Sequence, residues 1–434
     1  MTAVSAEYKV PFHTSPVNGT VTVPGSKSIT NRLLLLSSIT EGNVWIRGIQ
    51  KGEDAVHFIR SMEDLGIMSE ENGNDILIHG NGGRFPAEAS VNVGSGGTGA
   101  RFLSSLLALS PGEYRVDCSE QMSRRPMDQL FKALRDLGAG VDCCGEEGHL
   151  PAVIRGVRPE GRVSATVDTD VSTQFLSALL LSSPLVPEGM EIHVTGSRKK
   201  GSYVGITLDS LKRFGVEALY DDVSSIYYVN PPHNRIINPE TVFCEPDVSA
   251  ACYFYAAAAL TGGSVCVSGL CRDSVQGDMR FITDVLVPMG CSLSENGNGL
   301  TVTGPVNGKL GAVDVDMQDF SDQALTLAAI APWADGPVHI RNVGHIRKQE
   351  CDRMDCIRDC MERAGIRCDI VGDDICIFPG EPGPCRIDTR NDHRAAMAMS
   401  LMGLRIRGVV IENPDCCRKT FPGYFRALDR LLLG

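Results

Sequence analysis

The sequence predicts a mixed α/β protein of two domains, and three observations carry that prediction. The chain has 434 residues, more than the roughly 250–300 residues at which single hydrophobic cores stop growing. Helix patterns recur about every seventy residues, and short strand-like runs such as DILIHG, EIHVTG and DICIFPG lie between them. Six such α/β units divide naturally into two domains of three.

The first helix series is amphipathic. Its apolar residues recur at spacings of three or four, and each helix ends at a glycine that suits a left-handed C-cap. These glycines are Gly66, Gly138, Gly215, Gly290, Gly365 and Gly434, at steps of 69 to 77 residues. One such helix carries little information, but six in step predict a repeat.

The second helix series is apolar nearly all round, as in RFLSSLLAL and YFYAAAAL, which predicts helices inside their domain. A polar residue marks the start of each helix: Ser28, Thr98, Ser172, Asp247, Asp322 and Asp392. If the three helices of a domain lie parallel, their N-termini emerge on one face. Such a face would attract anions, because helix N-termini carry free N–H groups and a partial positive charge.

Composition excludes several classes of function. Acidic residues outnumber basic ones 53 to 41, a net charge of −12, so a general basic surface for nucleic acid or membrane is missing. The start of the chain lacks a signal-peptide pattern, and no apolar run reaches membrane-helix length. We therefore expect a cytoplasmic protein whose 16 cysteines stay reduced. The cysteines form no CxxC pair, and we expect no metal.

Candidate ligand-binding residues cluster at the starts of the apolar helices. PGSKSITNR offers Lys27, Ser28 and Arg32 after a Gly/Ser turn, a combination suited to phosphate or carboxylate. GSGGTGAR lets the backbone approach a ligand closely but lacks the lysine of a nucleotide-binding P-loop. Arg125 could clamp a carboxylate, although a surface ion pair is the common alternative.

The later helix starts leave structural alternatives open. Asp247 and Asp322 could each simply cap a helix. Glu350 and Arg353 could be an exposed i,i+3 pair. Near the C-terminus, NDHRAAM and CRKTFPGYF contain Arg394 and Lys419, for which a structural or solvated role is the alternative. Taken together, these cations and carboxylates suit a site for two anionic ligands with groups for proton transfer.

These motifs identify a family. PGSKSITNR, GSGGTGAR, RRPMDQL, STQFLSALLL, EPDVSAACYFYAAAA, ECDRM, NDHRAAM and KTFPGYF resemble, in order and over nearly the whole chain, the motifs of the 5-enolpyruvylshikimate-3-phosphate synthases, which are enolpyruvyl transferases. The resemblance implies the two-domain enolpyruvyl transferase fold with three βαβαββ-type repeats per domain. We expect one domain at 24–243 and a second at 1–23 plus 244–434, with a hinge near residues 24 and 244 that closes on ligands.

The reaction implied by the resemblance transfers the enolpyruvyl group of phosphoenolpyruvate to the 5-hydroxyl of shikimate 3-phosphate and releases phosphate. It needs no metal or organic cofactor, and the enzyme is expected to be a monomer. Asp322 would be the base for the hydroxyl, and Glu350 and Lys27 would deliver the proton to the vinyl carbon.

The resemblance also implies a set of binding residues for each substrate. Shikimate 3-phosphate would bind to Lys27, Ser28, Arg32, Ser172, Thr173, Gln174, Tyr203, Asp322, His345 and Gln349. Phosphoenolpyruvate would bind to Lys27, Gly97, Arg125, Gln174, Arg353, Arg394 and Lys419.

Two departures from the family pattern bear on shikimate 3-phosphate. Gln349 stands where the family commonly has lysine, and Lys348 precedes it. The lost cation is expected to weaken binding unless Lys348 turns in. The loop Lys200-Gly201-Ser202-Tyr203 differs from the family's Ser-Lys/Arg-Pro-Tyr. Two alternatives follow: a non-catalytic or altered-substrate paralogue that binds phosphorylated ligands, and an enolpyruvyl transferase acting on a UDP-amino sugar.

Overall fold

The computed structural model describes residues 7–231 and 233–433. Contacts divide the chain into two compact units. The first, which we call the N-terminal unit, is Gly25–Cys244. The second, the C-terminal unit, is Met1–Pro24 with Glu245–Gly434. Each unit contains three small mixed sheets covered by helices, so the predicted mixed α/β class and the count of six repeats are confirmed.

One sheet plan recurs through the molecule and is clearest in the second repeat. Strand Glu88–Asn92 pairs in parallel with Gly112–Asp117, and the connection runs through the buried helix Gly97–Ala108. Gly112–Asp117 pairs antiparallel with Ala152–Gly156, which pairs antiparallel with Gly140–Cys143. The parallel pair needs the long helical crossover, whereas the antiparallel hairpin closes by a short connection. This order is the βαβαββ plan.

The strands follow this plan in both units. In the N-terminal unit they are Asn43–Arg47, Met68–Asn72, Asp75–His79, Glu88–Asn92, Gly112–Asp117, Gly140–Cys143, Ala152–Gly156, Val163–Asp168, Met190–Thr195, Leu219–Asp221, Ile226–Val229 and Thr241–Phe243. In the C-terminal unit they are Glu7–Lys9, Asn18–Val21, Ser264–Ser268, Ser292–Asn296, Gly299–Thr303, Asp314–Asp316, Val338–Arg341, Cys368–Val371, Asp374–Ile377, Arg386–Ile387 and Val410–Glu412.

Two sheets take their first strand from distant parts of the chain. Thr241–Phe243 pairs in parallel with Asn43–Arg47 and completes the first repeat. Asn18–Val21 pairs in parallel with Ser264–Ser268 and completes the fourth. The chain therefore leaves the C-terminal unit after Pro24 and returns to it after Cys244.

The last repeat replaces its hairpin. Its parallel pair is Arg386–Ile387 with Val410–Glu412, and Glu7–Lys9 pairs antiparallel with Val410–Glu412 at the position that a hairpin strand takes elsewhere. The result is a three-stranded sheet. Residues near both ends of the chain thus belong to one unit.

The helices fall into the two predicted classes. The apolar helices are almost wholly buried: Lys27–Ser38, Gly97–Ala108, Gln174–Ser182, Val248–Thr261, Ala324–Ile330 and His393–Ser400. The amphipathic helices have one buried face: Glu53–Asp64, Asp128–Asp136, Ser202–Arg213, the π-helical segment Phe281–Leu286, Arg353–Arg363 and Tyr424–Leu433. In the described part of the chain, no helix combines the length and the apolar character needed to cross a bilayer.

The glycines that end the amphipathic helices adopt the expected conformation. Gly66, Gly138, Gly215, Gly290 and Gly365 all have positive φ, between 76° and 104°. The sixth, Gly434, lies outside the described residues. Left-handed backbone of this kind favours glycine because a Cβ atom would be strained there.

The stretch 230–240 is rich in proline and asparagine, a composition typical of a linker, but its described residues pack within the N-terminal unit. Asn234 is buried, and its Nδ2 donates to the backbone oxygens of Val186 at 2.7 Å and Pro187 at 3.0 Å. The amide of Ile237 donates to the backbone oxygen of Phe214 at 2.9 Å. Proline and asparagine here belong to a packed loop, and the chain passes to the C-terminal unit only after Cys244.

Candidate active site

A buried cluster of six charged side chains lies in the C-terminal unit around Arg353. The guanidinium of Arg353 is only 1% exposed. Its Nη1 lies 2.8 Å from Oδ1 of Asp322, its Nη2 lies 2.8 Å from Oε2 of Glu350, and its Nε lies 2.7 Å from Oδ2 of Asp392. Arg353 therefore binds three carboxylates from three separate segments.

Two further cations complete this Arg353 cluster. Nη2 of Arg394 lies 2.9 Å from Oδ2 of Asp322, and Nζ of Lys419 lies 3.1 Å from Oε1 of Glu350. Asp322 and Glu350 thus each bridge Arg353 to a second cation. Three positive and three negative groups balance formally, as a buried group of charges requires.

Local structure explains how these side chains come together. Asp392 caps the helix His393–Ser400 by accepting from the amide of Arg394 at 2.8 Å. Asp352 caps Arg353–Arg363 by accepting from the amide of Asp355 at 3.0 Å. Arg353 and Arg394 are thereby fixed in the first turns of two capped helices.

Asp322 does not act as a helix cap. It lies in the 3-10 segment Gln318–Gln323 ahead of Ala324–Ile330, and its carboxylate contacts two arginines. Asp247, by contrast, caps Val248–Thr261 through the amide of Ala250 at 3.1 Å. The structure therefore distinguishes two aspartates that the sequence left equivalent.

The surrounding charges determine the ionisation of Arg353. Burial alone would lower its pKa, but Asp392, Glu350 and Asp322 together raise the pKa above the ordinary arginine value. The Glu350–Arg353 pair is therefore a buried element of this cluster, with 8% and 1% of the two side chains exposed. The exposed-pair alternative does not hold.

Gln349 and Lys348 occupy different environments. Oε1 of Gln349 accepts from Nη1 of Arg353, so this side chain joins the Arg353 cluster. Lys348 is exposed. His345 contacts the 3-10 segment Gln318–Gln323, since its Nε2 is 2.8 Å from Oγ of Ser321.

In the N-terminal unit, Lys27 begins the first buried helix and is held by an acid. Its Nζ lies 3.4 Å from Oδ2 of Asp54, whose side chain is only 2% exposed. Lys27 itself remains 17% exposed. The ammonium is thus oriented by a buried carboxylate and still accessible to solvent.

Arg32 is fully buried and connects two helices of the N-terminal unit by hydrogen bonds. It donates to Oγ1 of Thr207 at 2.9 Å, to the backbone oxygen of Ser28 at 2.7 Å and to the backbone oxygen of Tyr203 at 3.0 Å. Burial lowers the pKa of Arg32 to about 9. In this structure Arg32 fixes two of the other predicted binding residues.

A second group of polar side chains in the N-terminal unit surrounds Gly97. Nη1 of Arg101 donates to Oε1 of Gln174 at 2.6 Å. A Cβ atom on Gly97 would lie 2.8–2.9 Å from guanidinium nitrogens of Arg125 and Arg101. Glycine at this helix start therefore lets two guanidinium groups approach the backbone. We call Gly97, Arg101, Arg125 and Gln174 the Gly97 cluster.

The remaining predicted residues of this unit lie at neighbouring helix starts. Ser172 precedes Gln174–Ser182, and its Oγ accepts from the amide of Gln174 at 3.3 Å; Thr173 is half-buried beside it. Tyr203 is half-buried in the first turn of Ser202–Arg213. In the divergent loop before it, Nζ of Lys200 lies 2.5 Å from Oδ1 of Asp222.

Sequence reasoning missed several residues that hold these side chains. Asp54 and Arg101 support Lys27 and Gln174, and Asp392 binds Arg353 in addition to capping its helix. Asp54 gave no signal because it lies 27 residues after Lys27, in the next helix, Glu53–Asp64. Arg101 lies within GSGGTGAR, where the glycines are the stronger sequence signal.

Comparison with known proteins places the chain in a family. The family profile described as EPSP synthase (3-phosphoshikimate 1-carboxyvinyltransferase) matches residues 12–428. A 3-phosphoshikimate 1-carboxyvinyltransferase of Trichormus variabilis is 38% identical over 426 residues, covering 98% of each chain. The 3-phosphoshikimate 1-carboxyvinyltransferase 2 of Halalkalibacterium halodurans is 36% identical over 420 residues, covering 96% of this chain and 92% of the other.

Solved structures agree at the level of the fold. EPSP synthase from Acinetobacter baumannii superposes with a TM-score of 0.81 at 23% identity, covering 98% of each chain. The enolpyruvyl transferase NikO from Streptomyces tendae gives 0.72 at 16% identity, covering 98% of this chain and 96% of that one. The fold is therefore the predicted enolpyruvyl transferase fold. With the family profile and the curated relatives matching nearly its whole length, the chain belongs to the EPSP synthase (3-phosphoshikimate 1-carboxyvinyltransferase) family.

Proposed function

We propose that this protein catalyses transfer of the enolpyruvyl group of phosphoenolpyruvate to the 5-hydroxyl of shikimate 3-phosphate, with release of phosphate. This is a step of the shikimate pathway to aromatic amino acids. One observation carries the proposal: Asp322 and Glu350 lie together in the Arg353 cluster, each bonded to two cations. Family membership supplies the reaction to which those groups fit.

Phosphoenolpyruvate is the proposed ligand of five cations from the two units. Lys27 and Arg125 belong to the N-terminal unit, and Arg353, Arg394 and Lys419 belong to the C-terminal unit. In this structure, Arg394 and Lys419 are paired with Asp322 and Glu350. A phosphate or carboxylate that draws these cations toward itself leaves the two side-chain carboxylates freer to exchange protons.

The proton transfers follow from this exchange. Asp322 takes the proton of the 5-hydroxyl while the hydroxyl oxygen bonds to the carbon of phosphoenolpyruvate that bears the phosphate. Glu350 or Lys27 delivers a proton to the terminal vinyl carbon. The tetrahedral adduct then loses that proton and phosphate, which regenerates the vinyl group. The cations stabilise the negative charge that develops on the departing phosphate.

Shikimate 3-phosphate is the proposed ligand of the helix starts of the N-terminal unit. Lys27, Ser28, Ser172, Thr173 and Gln174 offer an ammonium, hydroxyls and an amide. Tyr203 would lie against the ring. Arg32 contributes by fixing the backbone of Ser28 and Tyr203, to which it donates at 2.7 Å and 3.0 Å. Asp322, His345 and Gln349 remain the proposed contributions of the C-terminal unit.

We propose a hinge where the chain passes between the two units, near residues 24 and 244, because residues of both units are proposed to bind the substrates. A small-angle scattering profile that contracts when both substrates are added supports the hinge. An identical profile with and without substrates counts against it. The monomeric state and the cytoplasmic location remain part of this proposal, and sedimentation tests the first of them directly.

Substrate exchange tests the proposed activity. Purified protein is incubated with phosphoenolpyruvate and either shikimate 3-phosphate or UDP-N-acetylglucosamine, and the products are identified by mass spectrometry. We expect an enolpyruvyl adduct with shikimate 3-phosphate only. Product with the UDP-sugar would favour the sister transferase, and tight binding of shikimate 3-phosphate without product would favour the non-catalytic paralogue.

A further inference from the structure

A buried aspartate outside every predicted set lies beside the Arg353 cluster. Asp278 precedes the π-helical segment Phe281–Leu286 and is buried. Its Oδ2 accepts a hydrogen bond from Nε2 of Gln323 at 2.9 Å and another from Oγ of Ser249. A carboxyl group in such a place is costly to bury, so its two bonds call for an explanation.

The first bond leads to Asp322. Gln323 follows Asp322 directly in the 3-10 segment Gln318–Gln323. Its amide orientation is fixed at both ends, because Oε1 accepts from Oγ1 of Thr326 at 2.9 Å while Nε2 donates to Asp278. The segment that contains Asp322, the proposed base, is thereby hydrogen-bonded to Asp278 through Gln323.

The second bond leads to Arg394. Ser249 Oγ lies 3.5 Å from Nη2 of Arg394. The same Nη2 lies 2.9 Å from Oδ2 of Asp322. Asp278, Ser249, Arg394 and Asp322 thus form a continuous chain of polar contacts from the interior to the base.

The charge of Asp278 changes in the pH range where enzymes work. Burial, together with the nearby carboxylate of Asp322, raises the pKa of Asp278 to about 6, against the lowering effects of Arg394 and the two hydrogen bonds. Another titratable neighbour is Cys252, whose thiol donates to the backbone oxygen of Asp278 at 3.7 Å. Burial raises the pKa of that thiol well above its usual value, so it stays neutral.

We propose that Asp278 is a positioning residue for enolpyruvyl transfer, which fixes Asp322 through Gln323 and Arg394 through Ser249. The inference rests on the proposed function. Asp278 contacts neither substrate in this account. It sets the place of the base and of one phosphoenolpyruvate cation, and its own ionisation adds negative charge beside Asp322 as pH rises.

Asp278→Asn separates charge from packing. Asparagine has the same shape, and its Oδ1, placed where Oδ2 of Asp278 lies, can accept from both Gln323 and Ser249, so both links survive without the charge. Ser249→Ala removes only the link to Arg394. Asp273→Asn is the matched control, because Asp273 is exposed on the same loop.

Steady-state kinetics from pH 5 to pH 8.5 provide the test. We expect Asp278→Asn to lower kcat about tenfold at pH 7.5, with KM for shikimate 3-phosphate within about twofold, as for loss of an interaction that acts on the transition state. The inflection of kcat near pH 6 is expected in the wild type and lost in the variant. Ser249→Ala should mainly raise KM for phosphoenolpyruvate. The Asp273→Asn control should match wild type.

A purely structural Asp278 would give other results. Wild-type kcat and an unchanged pH profile in Asp278→Asn would overturn the inference, even if Asp278→Ala fails to fold. If the wild type itself shows no turnover, the proposed function fails first, and the two failures are therefore distinguishable.

Thermal unfolding tests the buried charge without any activity assay. The folded protein holds the Asp278 proton up to about pH 6, whereas the unfolded chain loses it near pH 4. The free energy of unfolding is therefore highest below about pH 4, and this contribution is lost as pH rises through 6. The Tm of Asp278→Asn should therefore rise relative to that of the wild type between pH 4.5 and pH 7.5, by several degrees. A difference in Tm that does not change with pH would contradict an ionising Asp278.

Discussion

The Nη1 atom of Arg353 lies 2.8 Å from Oδ1 of Asp322, with 1% of the arginine side chain and 14% of the aspartate side chain exposed. The arginine lies in the first turn of the helix Arg353–Arg363, and the aspartate lies in the 3-10 segment Gln318–Gln323. The strand Val338–Arg341 separates the two in sequence. In this structure Arg353, which we propose binds phosphoenolpyruvate, therefore pairs with Asp322, the proposed base. When phosphoenolpyruvate binds, the Arg353 guanidinium must interact with both the substrate and the Asp322 carboxylate.

Loss of Asp392 should destabilise the whole Arg353 cluster. Asp392→Asn keeps the helix-cap acceptor but leaves Arg353, which is fully buried, with one carboxylate fewer. Breaking a buried pair costs about 3–5 kcal/mol, and chemical denaturation measures it. The control is Asp314→Asn, whose partner Arg341 is 42% exposed and where about 1 kcal/mol or less is expected. Equal losses in the two variants would contradict a buried, interdependent cluster.

A methyl group at Gly97 should disturb phosphoenolpyruvate binding and leave the fold intact. In Gly97→Ala the new Cβ would lie 2.8–2.9 Å from guanidinium nitrogens of Arg125 and Arg101, which are ends of flexible side chains and move first. We expect KM for phosphoenolpyruvate to rise several-fold with little change in Tm. In the control Gly99→Ala, on the same helix, the nearest atom is 3.5 Å away, and KM should stay near the wild-type value. A larger effect at Gly99 would refute this role for the Gly97 cluster.

Gln349 offers a gain-of-affinity prediction. Lys348 is exposed, so we expect that it does not supply the cation that the family commonly has at position 349. Gln349→Lys should lower KM for shikimate 3-phosphate by about tenfold, the equivalent of about 1.4 kcal/mol, a modest value for a charge-assisted bond. Lys348→Gln, the control, should leave this KM unchanged. The opposite pattern, with a higher KM in Lys348→Gln alone, would mean that Lys348 turns in to the ligand.

Glu350 should matter for the rate of the reaction. Glu350→Gln preserves the shape and one acceptor for Arg353 or Lys419 but removes the exchangeable proton. We expect kcat to fall by about 10²–10⁴-fold, the usual contribution of general acid–base catalysis, with both KM values changed much less. Glu362→Gln, at an exposed position of the same segment, is the control. A variant at Glu350 with near wild-type kcat would assign proton delivery to Lys27.

The repeat plan was predictable because it rests on local patterns. A helix that ends in a glycine such as Gly66 or Gly138 can be recognised within about ten residues, and six copies reinforce one another. Local patterns did not predict the two strands that join a sheet from a distant part of the chain, Thr241–Phe243 and Asn18–Val21. Thr241–Phe243 pairs with Asn43–Arg47 across almost two hundred residues, and three residues without a distinctive pattern give no local signal for such a partner.

The candidate site was predictable as a set of residues but less so as a geometry. Helix-start motifs indicated Lys27, Asp322 and Arg394, but they did not predict which side chains these residues contact. The full burial of Arg32, which depends on acceptors from distant segments, was not visible in PGSKSITNR. Asp278 was missed for a related reason, since its importance lies in contacts with Gln323 and Ser249 that only the folded unit brings together.

The stoichiometry of the two-substrate reaction tests the central claim most directly. Phosphate and the enolpyruvyl product are quantified together for wild type and for Asp322→Ala, with each substrate omitted in turn. We expect one phosphate per product, no release when either substrate is missing, and loss of nearly all turnover in Asp322→Ala. Full turnover in that variant, or phosphate released from phosphoenolpyruvate alone, would contradict that claim.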